Sequence, residues 1–539
     1  MASELKRHAV RIAANYIRLV LGFVIGIAMV PILLRAAGED GFGVIGLLGS
    51  ATGILFIIRE VVNNALTREV GAAYHEGAES FREHYASAIV LSTVVAGVTF
   101  VLYLGLIFVL PLLNIPDALM NAARWMIVIQ SFEVLFRITT AAPINLLLVQ
   151  ERFVAHNVVH FMRKFAEIST GIAVLLAYQS MSASAVLILY AIVASSLNIL
   201  LQILAVSWLI HVDRRALPRL RFANRTATAR IVRTAKWNVA VACATTLHLR
   251  IDVVIMNLLF GIVGTSVMVI GIRLTGYMRQ LVFGMTDGLD AVAVRMHHKG
   301  GAEAIRPLIR YTTRIHALVV VPAALFLIFF ADPIIRVWIT RALDDPEAFV
   351  RNTTLVIQAL AIGFASRAIS DSWMHIMYGA GHVRRYAPLI AIGAVLNPIL
   401  GLVFYYLLPQ SIAIASIAAG TSTVFFFIHF IGLPVVLRRT LGVPIRDAYA
   451  PLIRPTLMAL IALPVALVFR YKVQHWTLLW LIATMAAFGS VYAGLCLSFA
   501  MDRAERAMFI GILRRRLPPA LGGTRIVSGL SGENGAGDS

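Results

Sequence analysis

The chain has 539 residues, of which 59% are hydrophobic, and its mean hydropathy is +0.83. A soluble domain has roughly 45 to 50% apolar residues, so this composition excludes an ordinary water-soluble protein. The formal net charge of +20 does not indicate nucleic-acid binding, because the sequence has no soluble basic domain to present such a patch.

Apolar runs of about 20 residues recur along the chain, and each is long enough to cross the ~30 Å hydrocarbon layer as a helix. The stretch 319–330 is apolar throughout, without the alternation of a membrane β-barrel strand. The first apolar run, at 16–34, is too long for the core of a cleaved signal. The predicted fold is therefore all-α, a polytopic membrane protein of about fourteen transmembrane helices.

The fourteen predicted spans follow one another along the whole chain, near residues 13–34, 42–66, 84–112, 122–148, 155–178, 183–210, 237–260, 264–290, 313–331, 352–378, 386–408, 411–437, 452–470 and 475–500. The connections between them alternate in charge, as expected when Lys and Arg collect in short cytoplasmic loops. The connection at 211–236 carries eight Lys or Arg residues, whereas 179–182, 261–264 and 409–410 carry no charge. Both termini are therefore predicted to be cytoplasmic.

The basic connection separates two groups of six spans. We predict an N-terminal lobe at 1–225 (spans 1–6), a C-terminal lobe at 226–445 (spans 7–12), spans 13 and 14 at 446–500, and a basic cytoplasmic tail at 501–539. The tail is expected to be partly disordered because its end is rich in Gly and Ser. The residues Val44-Ile45-Gly46 recur as Val269-Ile270-Gly271, which marks either an internal repeat or a chance match in an apolar sequence.

Ionisable side chains lie inside several predicted spans, where a charge facing lipid costs roughly 2.5 to 3.5 kcal/mol. We predict that six arginines line a hydrated, cationic cavity that binds substrate: Arg59, Arg137, Arg250, Arg273, Arg279 and Arg367. The candidate acidic partners within the membrane are Glu133, Asp252 and Asp371.

Some of these charges have a partner of opposite sign four residues away, on the same helix face. Such pairs are Glu133 with Arg137, Arg163 with Glu167, and Arg367 with Asp371. For the other arginines, pairing between helices or snorkelling to the surface is one explanation. The other is that the surplus attracts an anion, most plausibly phosphate, which guanidinium groups bind through paired hydrogen bonds. A lipid diphosphate has this chemistry, and the membrane potential favours outward movement of an anion by about 2.3 kcal/mol per charge per 100 mV.

No metal or cofactor is predicted. His297 and His298 are adjacent in a basic loop without nearby cysteine or carboxylate ligands. Cys243 and Cys496 lie in apolar runs, where packing rather than a disulfide is expected. The sequence also has no G-x-x-x-x-G-K-[ST] phosphate-binding loop.

Segments near the N-terminus carry a resemblance to a known superfamily: NYIR at 15–18, PILLR at 31–35, GEDGFGVIG at 38–46 and NNALTRE at 63–69. With the layout of the spans, they resemble the multidrug/oligosaccharidyl-lipid/polysaccharide (MOP) exporter superfamily, in its polysaccharide transporter branch of Wzx-type flippases. The resemblance implies two helical bundles that alternate between inward and outward openings. It implies passage of an undecaprenyl-diphosphate-linked oligosaccharide across the bacterial inner membrane, without enzymatic activity.

The resemblance also implies the partners: the lipid-linked oligosaccharide, membrane lipids and other polysaccharide-assembly proteins, with no nucleic acid. By analogy with lipid II flippases, spans 13 and 14 are expected to form a groove for the lipid tail, and lipid II itself stays open as a substrate. One alternative is a drug/cation antiporter of the same superfamily, for which an acidic cavity and about twelve spans are expected. Another is a multispan polymerase or ligase, which would need a sizeable external catalytic segment.

Overall fold

The computed structural model describes residues 2–150, 152–286, 289–343, 346–500 and 506. Within these ranges, the side chains at 2–19, 56–68, 153, 234–241, 245, 249, 285, 291, 298 and 299 are not described. The described chain is almost entirely helical and contains no β-strand, which confirms the predicted all-α fold.

The helices in the first half of the chain are α1 (Ala2–Glu76), α2 (Ala78–Gly105), α3 (Asp117–Thr139), α4 (Ala141–Val149), α5 (Phe153–Ala177) and α6 (Ala183–Val212). The helices in the second half are α7 (Arg225–Thr286), α8 (Leu289–Ile339), α9 (Pro346–Gly379), α10 (Val383–Leu407), α11 (Ser416–Phe425), α12 (Leu433–Leu441), α13 (Ile445–Lys472) and α14 (Leu478–Leu495). A π-helical segment, Phe426–Gly432, joins α11 to α12, so that these form one continuous rod.

The two longest helices, α1 and α7, are too long to be single spans. At 1.5 Å per residue, the 75 residues of α1 would extend about 110 Å, several times the thickness of the hydrocarbon layer. Gly38 interrupts α1 with φ 72° and ψ 177°, and Gly261 interrupts the 62-residue α7 with φ 69° and ψ −166°. Positive φ is a conformation that glycine adopts without steric cost. Each of these helices therefore divides into two spans.

The number of spans follows from these breaks. Eleven stretches of the described chain are long and apolar enough to cross a membrane. Two of them, Val20–Leu55 and Ala242–Gly284, contain Gly38 and Gly261, and division at these glycines gives thirteen. The fourteenth is α5, which has spanning length but carries three charged residues in its middle. The prediction of about fourteen spans is confirmed.

The two interrupting glycines have nearly the same backbone conformation, but the three-residue sequence match does not align them. Val44 lies six residues after Gly38, whereas Val269 lies eight residues after Gly261. The matched triplets are therefore out of register relative to the two turns. The lobe boundaries at 1–225, 226–445 and 446–500 stay a prediction, and the predicted tail at 501–539 lies outside the described residues except for Arg506.

The first and second halves of the chain meet mainly along α1 and α7. Small residues allow the close approach: a Cβ placed on Gly43 would lie 2.8 Å from Ser266 Oγ, and one on Gly46 would lie 2.6 Å from Val269. The Ser266 hydroxyl also donates to the Glu39 carbonyl at 2.6 Å. Such small-residue contacts, backed by polar hydrogen bonds, are the usual means of helix association inside a membrane.

The last two helices pack on the outside of α8. Phe326 and Phe330 of α8 form one apolar cluster with Phe488 and Tyr492 of α14 and small residues of α13. The Tyr492 hydroxyl donates to the Leu318 carbonyl at 3.0 Å. These contacts attach α13 and α14 to the second half of the chain.

Candidate anion-binding cavity

One face of α5 is polar along most of its length. Five ionisable side chains recur there at spacings of three or four residues, which places them on one side of the helix: His156, His160, Arg163, Lys164 and Glu167. The other side carries exposed apolar residues such as Val158, Phe165 and Leu176. This division indicates that α5 has one face toward lipid and one toward a polar interior.

The polar face of α5 lines a cavity of about 620 Å³ shared with α3, α4 and α6. Its charged walls are formed by Arg137 of α3 and by Arg163, Lys164 and Glu167 of α5. Neutral polar groups complete it, with Asn145, Thr170, Tyr190 and Asn198 in the wall. The cavity has the size of a ligand site.

Two carboxylates offset part of the positive charge. Lys164 Nζ lies 2.6 Å from Glu167, and Arg137 Nη1 lies 3.8 Å from Glu133, whose carboxylate also accepts from Ser195 Oγ at 3.2 Å. The predicted partners Glu133 and Arg137 are thus paired, but Glu167 pairs with Lys164 rather than with Arg163. With Arg163 included, three cations face two carboxylates. The cavity keeps an excess of one positive charge.

A histidine pair lies in the same wall. His156 Nε2 and His160 Nε2 are 3.3 Å apart, with ring centroids separated by 4.5 Å. At this distance one imidazole nitrogen donates a hydrogen bond and the other accepts it. The pair adds hydrogen-bonding groups to the wall of the cavity.

Two predicted arginines lie along the contact between α1 and α7 instead of in this cavity. Arg273 Nη1 donates to the Gly26 carbonyl at 3.5 Å. The Arg250 guanidinium lies against Gly53, where an added Cβ would be 2.7 Å from its Nε, so glycine makes room for it. Arg250 is solvent-exposed and within electrostatic reach of Arg273. Arg59 is also predicted to line the site, and its side chain lies outside the described residues.

The remaining predicted residues lie among α7, α9, α10 and α11. Arg279 of α7 forms an ion pair with Asp371 of α9. The four-residue spacing had predicted that Asp371 pairs with Arg367 instead. The buried Arg367 guanidinium lies 5.0 Å from the centroid of the Phe425 ring, a cation–π contact. Asp252 accepts hydrogen bonds from Asn397 Nδ2 at 2.6 Å and Thr421 Oγ1 at 2.7 Å.

The structure therefore distributes the eight predicted residues whose side chains it describes over separate places. Of these eight, only Arg137 lines the cavity on α5, with Glu133 beside it. Arg163 and Lys164 lie inside a predicted span but were not among the predicted substrate-binding residues, and the two histidines were not predicted to line a site. The sequence signal that could have identified them is their position on one face of α5, opposite its apolar side.

The fold matches those of membrane transporters of known structure. No protein-family profile and no curated protein matches the sequence. Among solved structures, the lipid II flippase MurJ in an inward closed conformation matches with a TM-score of 0.70 and 14% identity, over 94% of this chain and 100% of that one. An inward-facing MATE multidrug resistance transporter of the MOP superfamily matches with a TM-score of 0.66 and 11% identity, over 78% and 96%.

This chain has the fold of MOP-superfamily transporters. The MATE transporter VcmN of Vibrio cholerae, solved as a point mutant, adds a third match with a TM-score of 0.53 and 14% identity, over 78% and 99% of the two chains. The MOP resemblance predicted from the N-terminal segments is confirmed at the level of the fold. Within the MOP fold, α5 and its neighbours α3, α4 and α6 provide a cationic cavity in the first half of the chain.

Proposed function

We propose that this protein is a flippase that moves an undecaprenyl-diphosphate-linked oligosaccharide from the cytoplasmic to the periplasmic leaflet by alternating access. The observation that carries the proposal is the cavity on α5, where Arg137, Arg163 and Lys164 outnumber the carboxylates. A diphosphate offers several acceptor oxygens to such groups, and hydrogen bonds between charged partners are the strongest available.

The extent of the structural matches also supports a lipid-linked substrate. The MurJ structure is that of a lipid II flippase and covers 94% of the chain, whereas the MATE structures of the MOP superfamily cover 78 to 80%. The difference of 14 to 16% of the chain, about 75 to 86 residues, is larger than the segment 445–500 that contains α13 and α14, so these helices can account for part of it. We propose that these two helices hold the lipid tail at the side of α8.

The proposal assigns the protein to the bacterial inner membrane, with both termini in the cytoplasm, and gives it no enzymatic activity. Transport then consists of binding, conformational change and release. The membrane potential supplies about 2.3 kcal/mol per charge per 100 mV for an anion moving outward. Substrate charge alone therefore provides a driving force.

The remaining predicted arginines are proposed to contact the substrate during transit. Arg59, Arg250 and Arg273 belong to α1 and α7, the helices along which the two halves of the chain meet. Arg279 and Arg367 already contact protein groups, Asp371 and Phe425. Their substitution is expected to lower protein abundance as well as transport.

The decisive experiment is deletion of the gene, followed by measurement of undecaprenyl-diphosphate-linked oligosaccharide in each leaflet. We expect accumulation in the inner leaflet and loss of the surface polysaccharide. Accumulation in the outer leaflet would instead indicate a polymerase or ligase, and an unchanged pool would contradict both activities.

Charge removal in the cavity tests the proposed site directly. We expect Arg163→Gln and Lys164→Gln each to reduce transport of the lipid-linked substrate in proteoliposomes by about tenfold or more. A hydrogen bond to a charged group contributes roughly 1.5 to 3 kcal/mol. Lys472→Gln, at the exposed end of α13, removes the same charge outside the cavity and serves as the control. Equal transport by all three variants would contradict the proposed site.

A drug/cation antiporter is the second candidate, and the MATE matches together with the buried carboxylates Asp252 and Asp371 favour it. A cationic drug is expected to bind to an acidic group, so this function predicts that Asp371→Asn abolishes drug resistance conferred by the protein. A flippase predicts no drug resistance in the first place. Growth of an efflux-deficient strain expressing the protein, measured across cationic drugs, distinguishes the two.

A further inference from the structure

A second cavity, of about 340 Å³, lies where α1 ends, α2 begins and the connection from α6 to α7 folds across them. Four arginines line it: Arg82 of α2 and Arg214, Arg215 and Arg219 of the connection. Its lining contains no carboxylate, and none of the four arginines forms a salt bridge within the described residues. This is a concentrated positive site separate from the cavity on α5.

Ring contacts and a hydrogen bond hold the wall of this second cavity together. The rings of Phe81 and Tyr85 are stacked, with centroids 5.4 Å apart, and Tyr74 meets Phe81 edge to face. The Tyr85 hydroxyl donates to the carbonyl of the fully buried Ala216 at 3.0 Å. This bond fixes the arginine-bearing connection over α2.

The hydrogen bonds of Asn224 hold the end of the same connection. Its backbone N–H donates to Ser87 Oγ at 2.9 Å, and its side chain donates to Glu83 at 3.3 Å. The four arginines are therefore presented by anchored backbone on both sides of the cavity.

The neighbouring carboxylates are engaged elsewhere. Glu76 accepts from Ser80 Oγ at 2.8 Å and lies 3.4 Å from Arg230, and the hydrogen bond from Ser80 lowers the pKa of Glu76. Asp213 accepts from Gln150 at 2.6 Å and from the Arg215 backbone N–H at 2.9 Å. The positive charge that faces the second cavity is thus not neutralised by these groups.

The position of the cavity relates it to the membrane surface. The apolar run of α2 begins after Arg82 and His84, and α6 ends at Val212, so the arginines lie next to the ends of two spans. Exposed apolar side chains occur beside them, with Trp208 near the end of α6 and Leu217 and Leu220 in the connection. Tryptophan and basic residues together are typical of the headgroup region.

We propose that the second cavity binds the headgroup of an anionic phospholipid of the cytoplasmic leaflet, such as phosphatidylglycerol or cardiolipin. Guanidinium groups form paired hydrogen bonds with phosphate, and basic pockets beside transmembrane helices suit such headgroups. The exposed leucines and the tryptophan contact the upper part of the acyl chains, which a free phosphate ion lacks. This site is independent of the transported substrate.

The test measures lipid binding by the full-length protein in detergent micelles, with native mass spectrometry and titrated phosphatidylglycerol or phosphatidylcholine. The site variant carries Arg→Gln at positions 82, 214, 215 and 219. The control variant carries Arg→Gln at four exposed arginines at other helix ends, positions 385, 438, 439 and 446, and so loses the same charge. We expect the site variant to bind phosphatidylglycerol at least about 20-fold more weakly, since each arginine at an anionic surface is worth roughly fivefold. The control is expected to change binding less than threefold.

A second variant separates a bound headgroup from general attraction to a basic surface. Arg→Lys at the same four positions keeps the charge but removes the paired hydrogen bonds, and we expect binding to weaken severalfold. Equal weakening in the site and control variants would overturn the proposal, as would full binding by the Arg→Lys variant. Displacement of the lipid by millimolar inorganic phosphate would also overturn it and indicate a phosphate ion site. None of these outcomes depends on transport.

Discussion

Asp447 has no exposed side-chain surface, and two arginines one turn apart on α8 bind its carboxylate. Arg306 donates to one oxygen, and Arg310 Nε donates to the other at 2.8 Å. The carboxylate belongs to the first turn of α13, where the positive end of the helix dipole also stabilises it. This group of three charges attaches the start of α13 to α8.

At the residue scale, we predict that Asp447→Asn lowers the free energy of unfolding by about 2 kcal/mol. Loss of one partner from a buried ion pair costs roughly 3 to 5 kcal/mol, and solvent reduces this value because both arginines are 43% exposed. Thermal unfolding of the purified protein provides the measurement. Asp117→Asn, at an exposed helix start, is the control.

A double-mutant cycle with Arg310→Gln checks the cause of that loss. If the ion pair is responsible, the two substitutions are non-additive, because removal of Arg310 no longer matters as much once Asp447 is neutral. Strict additivity would contradict the assigned contact.

The sequence predicted contacts within one helix better than contacts between helices. Glu133 and Arg137 pair as their four-residue spacing indicates. Arg279 and Asp371 are 92 residues apart, and their pairing depends on how α7 packs against α9. Spacing also does not decide between two cations that are both within reach of one carboxylate. Glu167 pairs with Lys164, three residues away, rather than with Arg163, four residues away.

At the element scale, the crossing of α10 and α11 depends on two facing glycines. A Cβ on Gly420 would lie 2.6 Å from the Cα atom of Gly401, against backbone that no side-chain rotation moves away. Backbone contact of this kind is available only to small residues in membrane helices. The pair fixes the distance between the two helices.

We therefore predict that Gly420→Ala destabilises the protein by about 2 kcal/mol, within the range for overpacking of a tight core. Gly489→Ala is the matched control, because a Cβ at Gly489 on α14 meets no neighbouring atom within 4 Å. That control is expected to be neutral or to gain up to about 1 kcal/mol from helix propensity. Thermal unfolding of both variants provides the comparison, and equal melting temperatures would contradict the proposed crossing.

The boundaries of the spans were predictable because apolar runs and glycines both mark them. The predicted spans at 13–34 and 42–66 flank Gly38, and those at 237–260 and 264–290 flank Gly261. What the sequence did not indicate is that helical structure continues on both sides of each glycine without a loop. Hydrophobicity reports where lipid surrounds a chain, and it carries little information about the geometry of a turn.

At the scale of the whole molecule, Asn114 and Asn257 join the two halves of the chain. The Asn114 backbone N–H donates to Asn257 Oδ1 at 2.9 Å, and its side chain donates to the Asn257 carbonyl at 3.0 Å. Both residues lie on the predicted outer side of the membrane. The alternating access that we propose requires the two halves to separate there during each cycle.

We predict that linking these positions stops transport. The variant carries Asn114→Cys and Asn257→Cys, with Cys243 and Cys496 replaced by alanine, and is treated with a short, reducible, thiol-reactive cross-linker. Transport in proteoliposomes is expected to fall to background and to return after reduction. Single-cysteine variants treated in the same way control for modification alone, and undiminished transport by the cross-linked protein would refute separation at this contact.

The sequence by itself determined that lipid surrounds the chain, that the fold is helical and how many spans it has. It also determined that basic residues outnumber acidic ones in the predicted spans. These properties depend on composition and on local periodicity, which a linear sequence contains in full. Tertiary structure alone decided which charges meet. It placed Arg137 with Arg163 and Lys164 in one cavity, joined Arg279 to Asp371, and brought Arg82 next to the arginines of the α6–α7 connection. These contacts join residues that are distant in the chain, so they depend on the way the helices pack.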